Sequence, residues 1–547
     1  MKKKLLIATV VLAAIGTALY FYLKSKRLTD FEPMIKEKIQ SVVKEGSKGL
    51  YNISIGKIDI DVIGSKVNLL DIKLDYDSSM YSQMRATGQQ PNDLFKVAVS
   101  AIVIDGITPV DIVQKKNIRL NVLYIDNPVI TIHHRPGKNQ VEDTSTLYQR
   151  ITEQIGSFGI SSLGIRNAGI HFINDSTKAE DHFPELNISL TDFLIDASTQ
   201  NDTSRFFYAK DANISAVKYS KLTADSLYKF SLDSVMINAA EKQVSIKKFS
   251  LEPRVSKTQF RKIMKTRKDR YDISFNDIRI SGINWWGIIT NESVRIDEIM
   301  MANGSAEIYS DKTLPAGGPP GNGNYPHQKL FKSAMPIAIN TINIKNLDVT
   351  YSEFNEETFR EGHIYFQNTD AVITNITNIP DRIARNAMLN IDASTSFMKS
   401  AAMKAGFRFD LSQQAQGVFS VYARLGRLDG KLLNIVTEPL AMVKINEAVV
   451  NSLKLDMTGN NNSARGNLLL TYSDLDITIL KKDDDGKLKK RGLLSFIANT
   501  LKLNKHYPKK DKPAVPFNIY YKRPQDKTFF SLVWKTILDG VKQTAGM

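Results

Sequence analysis

From Tyr51 onward the chain alternates apolar and polar residues with period two, the pattern of half-buried strands. In YNISIGKIDIDV, Tyr51, Ile53 and Ile55 fall on one face, and Ile58, Ile60 and Val62 follow after a one-residue slip at Gly56-Lys57. A turn at Gly64-Ser65-Lys66 leads into VNLLDIKLDYD, with Val67, Leu69, Ile72 and Leu74 in step. This predicts a hairpin whose two strands each slip once, as a bulge would make them. The residues before it follow a helical period instead. In 31–46, Pro33 suits a first turn, Ile35, Ile39, Val42 and Val43 share a face, and Gly46 supplies a stop. At the far end KTFFSLVWKTILDGVKQTAGM predicts an amphipathic helix with Phe529, Phe530, Val533, Trp534, Ile537, Leu538 and Val541 on one side. Such a helix either caps a sheet end or lies on a membrane interface.

The strand pattern recurs. A segment starting at Tyr228 repeats that of Tyr51 at an offset of 177, so that Phe230, Leu232, Val235 and Ile237 match Ile53, Ile55, Ile58 and Ile60. Val244, Ile246, Phe249 and Leu251 then match Val67, Leu69, Ile72 and Leu74. The block from Phe95 returns at Tyr271, offset 176, pairing Gly106 with Gly282, Ile112 with Ile288 and Arg119 with Arg295. Further on, Leu163 corresponds to Ile342 and, more weakly, Glu185 to His363. The division this implies is a unit over 51–227, a second copy over 228–404, a terminal β module over 405–526 and a closing helix over 527–547.

Residues 1–27 read as a membrane anchor and 28–50 as the juxtamembrane helix. Leu5 to Leu23 is uncharged, and nineteen residues at about 1.5 Å each span roughly 28 Å, close to the hydrocarbon thickness. A cleaved signal peptide, cut near Gly16-Thr17-Ala18, is the rival reading. Lys2, Lys3 and Lys4 before the span nearly balance Lys24, Lys26 and Arg27 after it. The terminal amine tips the balance toward a cytoplasmic N-terminus, with the bulk of the chain outside the cytoplasm.

Composition narrows the chemistry. The 547 residues carry a formal charge of +16, which favours anionic partners, and no cysteine, which removes disulfides and thiol chemistry. His133 and His134 are neighbours in one strand and point to opposite faces, while His171, His182, His327, His363 and His506 lie scattered. The run Ala316 to Pro326 lacks the ending of a phosphate loop, and Asp483, Asp484 and Asp485 lack the alternation of a calcium loop. Neither a catalytic constellation, a metal site nor a cofactor site emerges, so the expectation is a non-enzyme. One basic cluster stands out at Lys257 to Arg270. Arg261, Lys262, Lys265, Arg267 and Lys268 are candidates for contact with lipid head groups, against the plainer reading of a solvated connector. No nucleic-acid module accompanies it.

A basic N-terminus, one span, a short helix and the strand ISIGKIDIDVIGSKVNLLDIKL together resemble the AsmA-like proteins of Gram-negative envelopes. IVIDGITPVDIVQKKNIRLNVLYIDNPVITI is similar to that family's strand–crossover–strand element, and GNNNSARGNLLLTYSDLDITIL with FFSLVWKTILDGVK resembles its Bacteroidetes-type members. The resemblance implies a mainly β fold, an elongated, curved antiparallel sheet forming an apolar groove as in bridge-like lipid-transfer proteins, with an N-terminal transmembrane helix and a few short helices. It implies a single-pass inner-membrane protein whose bulk is periplasmic, with phospholipid and the inner membrane as partners, and other envelope or outer-membrane proteins besides. Groove-lining candidates in the first copy are Ile53, Ile55, Ile58, Ile60, Val62, Val67, Leu69, Ile72, Leu74, Val97, Val99, Ile102 and Ile104. Those of the second are Phe230, Leu232, Val235, Ile237, Val244, Ile246, Ile273, Phe275, Ile278 and Ile280. Two functions fit. One is the binding of acyl chains in support of lipid transport between the membranes; the other is envelope assembly without transfer, the apolar face being filled by the protein's own helices.

Overall fold

The computed structural model describes residues 31–61, 65–106, 117–135, 148, 157–315, 323–482, 488–490, 503–524 and 527–546. The expected span 5–23, Val62, Ile112, the Gly/Pro run over 316–322 and Asp483 to Asp485 lie outside them. Twenty-three strands occur among the described residues, with few helices, so the chain is mainly β. They divide into two compact units, one running to Lys221 and including Ser231–Lys247, the other holding Leu222–Phe230 and the chain from Lys248 on.

The first unit contains α1 (Phe31–Gly46), β1 (Tyr51–Asp61), β2 (Lys66–Tyr76), α2 (Ser78–Ala86), β3 (Asp93–Asp105), β4 (Asn117–Asp126), β5 (Val129–His134), β6 (Ser157–Asn174), β7 (Ala179–Ile195), β8 (Ala209–Val217) and β9 (Tyr219–Leu222). β10 (Tyr228–Asn238) and β11 (Gln243–Pro253) follow. β1, β2 and β3 pair antiparallel in sequence; β3 then pairs with both β4 and β5, which together run parallel to the long β6. β6, β7, β8 and the second part of β10 continue antiparallel. The slip in the first hairpin is shared. Gly56 lies opposite Asp71, which takes a left-handed φ of 51°, and the pairing on either side keeps one register. Both strands therefore turn over together, and a Cβ on Gly56 would come within 2.9 Å of that of Asp71.

The second unit begins with α3 (Lys257–Ile263), β12 (Arg270–Ser281), α4 (Trp285–Ile289), β13 (Val294–Asp311), α5 (Pro326–Leu330), β14 (Ile337–Phe354), β15 (Glu361–Thr377) and α6 (Pro380–Arg385). Then come β16 (Met388–Phe397), β17 (Ala401–Asp410), β18 (Phe419–Leu425), β19 (Leu428–Asp429), α7 (Asn434–Ala441), β20 (Val443–Gly459), β21 (Ser463–Lys482), β22 (Leu488–Lys490), β23 (Phe517–Lys522) and α8 (Phe529–Ala545). β13 and β14 are parallel; β14 to β18, then β20, β21 and β23, are antiparallel neighbours.

The expectation of an antiparallel sheet is thus corrected to a mixed one. In each unit a long connection, 135–156 or 312–336, returns the chain in the same direction, and parallel neighbours require such a crossover.

Hydrogen bonding recurs at the sequence offsets. Leu123 pairs with Leu163 and Ile299 with Ile342. The Tyr51 hydroxyl accepts from the Phe95 amide at 3.2 Å, and the Tyr228 hydroxyl accepts from the Tyr271 amide at 3.2 Å. Asn127 and Asn167 hold left-handed φ of 49° and 52°, as do Asn303 and Asn346 at 51° and 52°. In each set the later asparagine donates to the earlier one, at 3.3 and 2.9 Å. Its amide donates to the next strand's Asn187 or Asp370. These last two residues stand 183 apart, so β7 and β15 depart from the 178-residue offset that matches Glu185 to His363.

Candidate functional site: the apolar strand faces

Cross-strand pairing stacks aliphatic side chains into rows. In the first unit Ile58, Leu69, Ile102, Ile125, Ile165, Ile188, Ile214 and Ile237 are directly opposite one another in turn. The start of this row is closed. Ile58, Leu69 and Ile102 are 5%, 2% and 4% exposed and belong to one cluster with Ile35, Ile39 and Val43 of α1. That helix is fixed at the strand slip: the Lys36 ammonium donates to the Gly56 carbonyl at 2.6 Å, and the Ile58 amide donates to Glu32 at 3.0 Å. From Ile125 to Ile237 the row is half-exposed.

The second unit repeats the construction from the other end. Ile280, Ile299, Ile342, Ile373, Ile391, Phe407, Val421 and Met457 are opposite one another in turn. Here the first six are half-exposed, with Ile373, Ile391 and Phe407 among them packed against the cluster in which Val421 and Met457 are buried with Phe529, Leu532 and Val533 of α8. Gly540 of α8 sits so close to Ile519 and Leu468 that a Cβ would come within 2.6 and 2.9 Å of them. The closing helix therefore caps strands β21 and β23.

The groove-lining candidates divide accordingly. Ile53, Ile55, Ile58, Val67, Leu69, Ile72, Leu74, Val99, Ile102 and Ile104 are core residues of the α1 cluster, with Ile60 and Val97 packed against it. Phe230, Leu232, Val235, Ile237, Val244, Ile246, Ile273, Phe275 and Ile280 are half-exposed, and Ile278 is buried. Ile125, Ile165, Ile188 and Ile214 were absent from the expectation. Their signal was present as period two, but only the pairing register shows that they line up.

Two depressions, of about 490 and 610 Å³, lie along the strands that carry these rows. The first is lined by Ile165, Ile188, Ile214 and Ile237 of the row together with polar neighbours such as Arg166 and Asn187, with Tyr124 beneath the Arg166 guanidinium at 4.1 Å. The second is lined by Val421, Met457 and Ile519 together with Tyr422, Asp456 and Arg465.

The basic cluster is partly spent on structure. Lys257 bridges Glu307 and Glu361 at 2.7 and 2.5 Å, Arg261 reaches the buried Asp311 at 3.7 Å, and Arg267 donates to the carbonyls of Lys312 and Leu314. Burial works against the charge on Lys257, but the two glutamates outweigh it and hold its ammonium above the usual range. Among the head-group candidates, Lys262, Lys265 and Lys268 remain exposed. The helix α3 that carries part of this cluster, with a capping box at Ser256 and Gln259, was not anticipated.

The histidines are better partnered than their spacing implied. His133 meets Asp175 at 3.2 Å, His134 meets Asp93 at 2.7 Å, and His171 stacks on its cross-strand neighbour His182 at 3.9 Å. His327 is different. It is 1% exposed, stacked on Phe409 at 4.7 Å, and neither ring nitrogen has a hydrogen-bond partner. Burial lowers its pKa to about 4. Among the described residues no group of three or more side chains is placed to hold a metal ion, and no helix is long and apolar enough to cross a membrane. No protein-family model matches the chain, and no curated protein is similar to it.

Proposed function

We propose that the chain binds lipid acyl chains on its apolar strand faces and supports lipid movement between two membranes, without a chemical step. The observation that carries this reading is the run of half-exposed apolar side chains aligned across the strands of each unit. A fully buried isoleucine is worth about 1.5–3 kcal/mol relative to an exposed one, and each methylene of an acyl chain about 0.8 kcal/mol. A row of half-exposed side chains, Ile165, Ile188, Ile214 and Ile237 or Ile280, Ile299 and Ile342, therefore rewards an extended hydrocarbon laid across it. The span 5–23 would hold the chain in the inner membrane, with the remainder in the periplasm, as the resemblance to AsmA-like proteins implies.

The second reading is an envelope assembly factor, and α1 favours it, because that helix fills part of one apolar face with the protein's own side chains. The test is lipid retained by the purified full chain, read by mass spectrometry. Glutamate at Ile188, Ile214 and Ile237, or at Ile299 and Ile342, should remove most of that lipid while circular dichroism and melting temperature stay near wild type. Leu69 and Val99 are unsuitable, since a charge there would unfold the core. Protein free of lipid, or lipid unchanged in these variants, would overturn transport and leave assembly.

A further inference from the structure

The closing helix α8 is apolar over more of its circumference than capping uses. Its inner side is Phe529, Leu532, Val533, Thr536, Gly540 and Thr544, all buried. Phe530 and Trp534, one turn apart, are 65% and 50% exposed. Leu538 continues this stripe and is half-buried, while Ile537 and Val541 pack at its edge against the core. A helix that only sealed the end of a sheet would be polar there. Beyond the stripe lie the exposed Lys535 and Lys542, whereas the helix's acid, Asp539, is turned to the protein and accepts from the Tyr520 amide and the Gln543 side chain.

We propose that this outer stripe docks on an anionic lipid surface, Phe530 and Trp534 entering the head-group region and Lys535 and Lys542 meeting its phosphates. The charges argue for this occupant over a protein. An aromatic pair flanked by lysines suits the polar–apolar boundary of a bilayer, where tryptophan is favoured and each basic residue near an anionic surface adds roughly 1 kcal/mol. The helix would then serve twice, closing the apolar core of its unit with one side and meeting a membrane with the other. The inference does not rest on the acyl-chain reading, since neither Phe530 nor Trp534 belongs to the apolar rows.

The chain has three tryptophans, so the full chain with Trp285→Phe and Trp286→Phe reports on Trp534 alone. It is incubated with vesicles whose phosphatidylglycerol carries bromine on the acyl chains, and separately with vesicles of brominated phosphatidylcholine. The expected result is about twofold or greater quenching of Trp534 with the anionic vesicles, little with the zwitterionic ones, and most of the effect lost in Lys535→Glu/Lys542→Glu. Iodide should reach Trp534 before vesicles are added. Equal quenching by both lipids, no quenching by either, or a tryptophan already shielded from iodide, as a second copy or a protein partner would make it, each overturns the proposal. Retained lipid is a separate measurement, so either reading can fail while the other stands.

Discussion

Leu69 and Ile246 stand 177 residues apart at corresponding places in the same strand pattern, yet Leu69 is 2% exposed and Ile246 is only half-buried. The same holds for Ile104 and Leu123, each 1% exposed, against the half-exposed Ile280 and Ile299. The difference lies in what precedes the strands. In front of β1 stands α1, whose Ile35, Ile39 and Val43 join the first cluster; in front of β10 stands a turn at Thr223–Leu227, in which Thr223 bonds Asp225 and Tyr228. An apolar strand face is thus core or surface according to its cover, and its own residues do not decide which.

The sharpest way to break this comparison is a charge at matched positions. Leu69→Asp should cost more than about 4 kcal/mol, because an unpaired carboxylate is buried, and Ile246→Asp about 1 kcal/mol. Equal losses in urea titrations would mean that the two faces do not differ. Removing cover rather than adding charge comes next: Ile39→Ala should cost roughly 2–5 kcal/mol and increase binding of a hydrophobic dye, as the first face opens.

The other covered end responds to acid. His327 keeps a pKa near 4 in the fold, below its ordinary 6.5, so the unfolded chain takes up a proton between those values that the folded chain refuses. Stability should accordingly fall by about 3 kcal/mol as pH drops through this window, and His327→Leu should flatten the slope of the unfolding midpoint against pH.

A smaller effect tests how alike the two regions are beneath their cover. Asn167→Ala and Asn346→Ala each lose a left-handed asparagine and its donated bond, about 1–2 kcal/mol, and the two costs should agree within about 0.5 kcal/mol. The smallest is expected at the exposed Lys262, where alanine should change the unfolding midpoint by less than about 0.5 kcal/mol equivalent, while Arg261→Ala, which removes the cation facing the buried Asp311 and leaves it the donors of Tyr309 and Thr313, should cost more.

Much of the fold was legible in the chain. The helix over 31–46, the hairpin of β1 and β2 and the closing helix all follow from local period and turn chemistry. Long-range pairing was not legible. The parallel pairs β4/β5 with β6 and β13 with β14 arise from crossovers, and β-period alone is the same for either direction. The ion pairs of Lys257 and Arg261 were hidden for the same reason, because Glu307 and Asp311 lie 50 residues away on β13 and Glu361 lies 104 away on β15.

Sequence by itself determined which residues alternate, where the strands slip and turn, and that one pattern returns near 177 residues later, since these depend on neighbours along the chain. Only the tertiary structure decided which apolar rows are closed and which are open. Burial depends on whether another element lies across a face, and α1 and α8 lie across different ends of otherwise similar rows. It also decided that α8 caps with one side and leaves Phe530 and Trp534 outward, a choice that the helical period alone leaves undetermined.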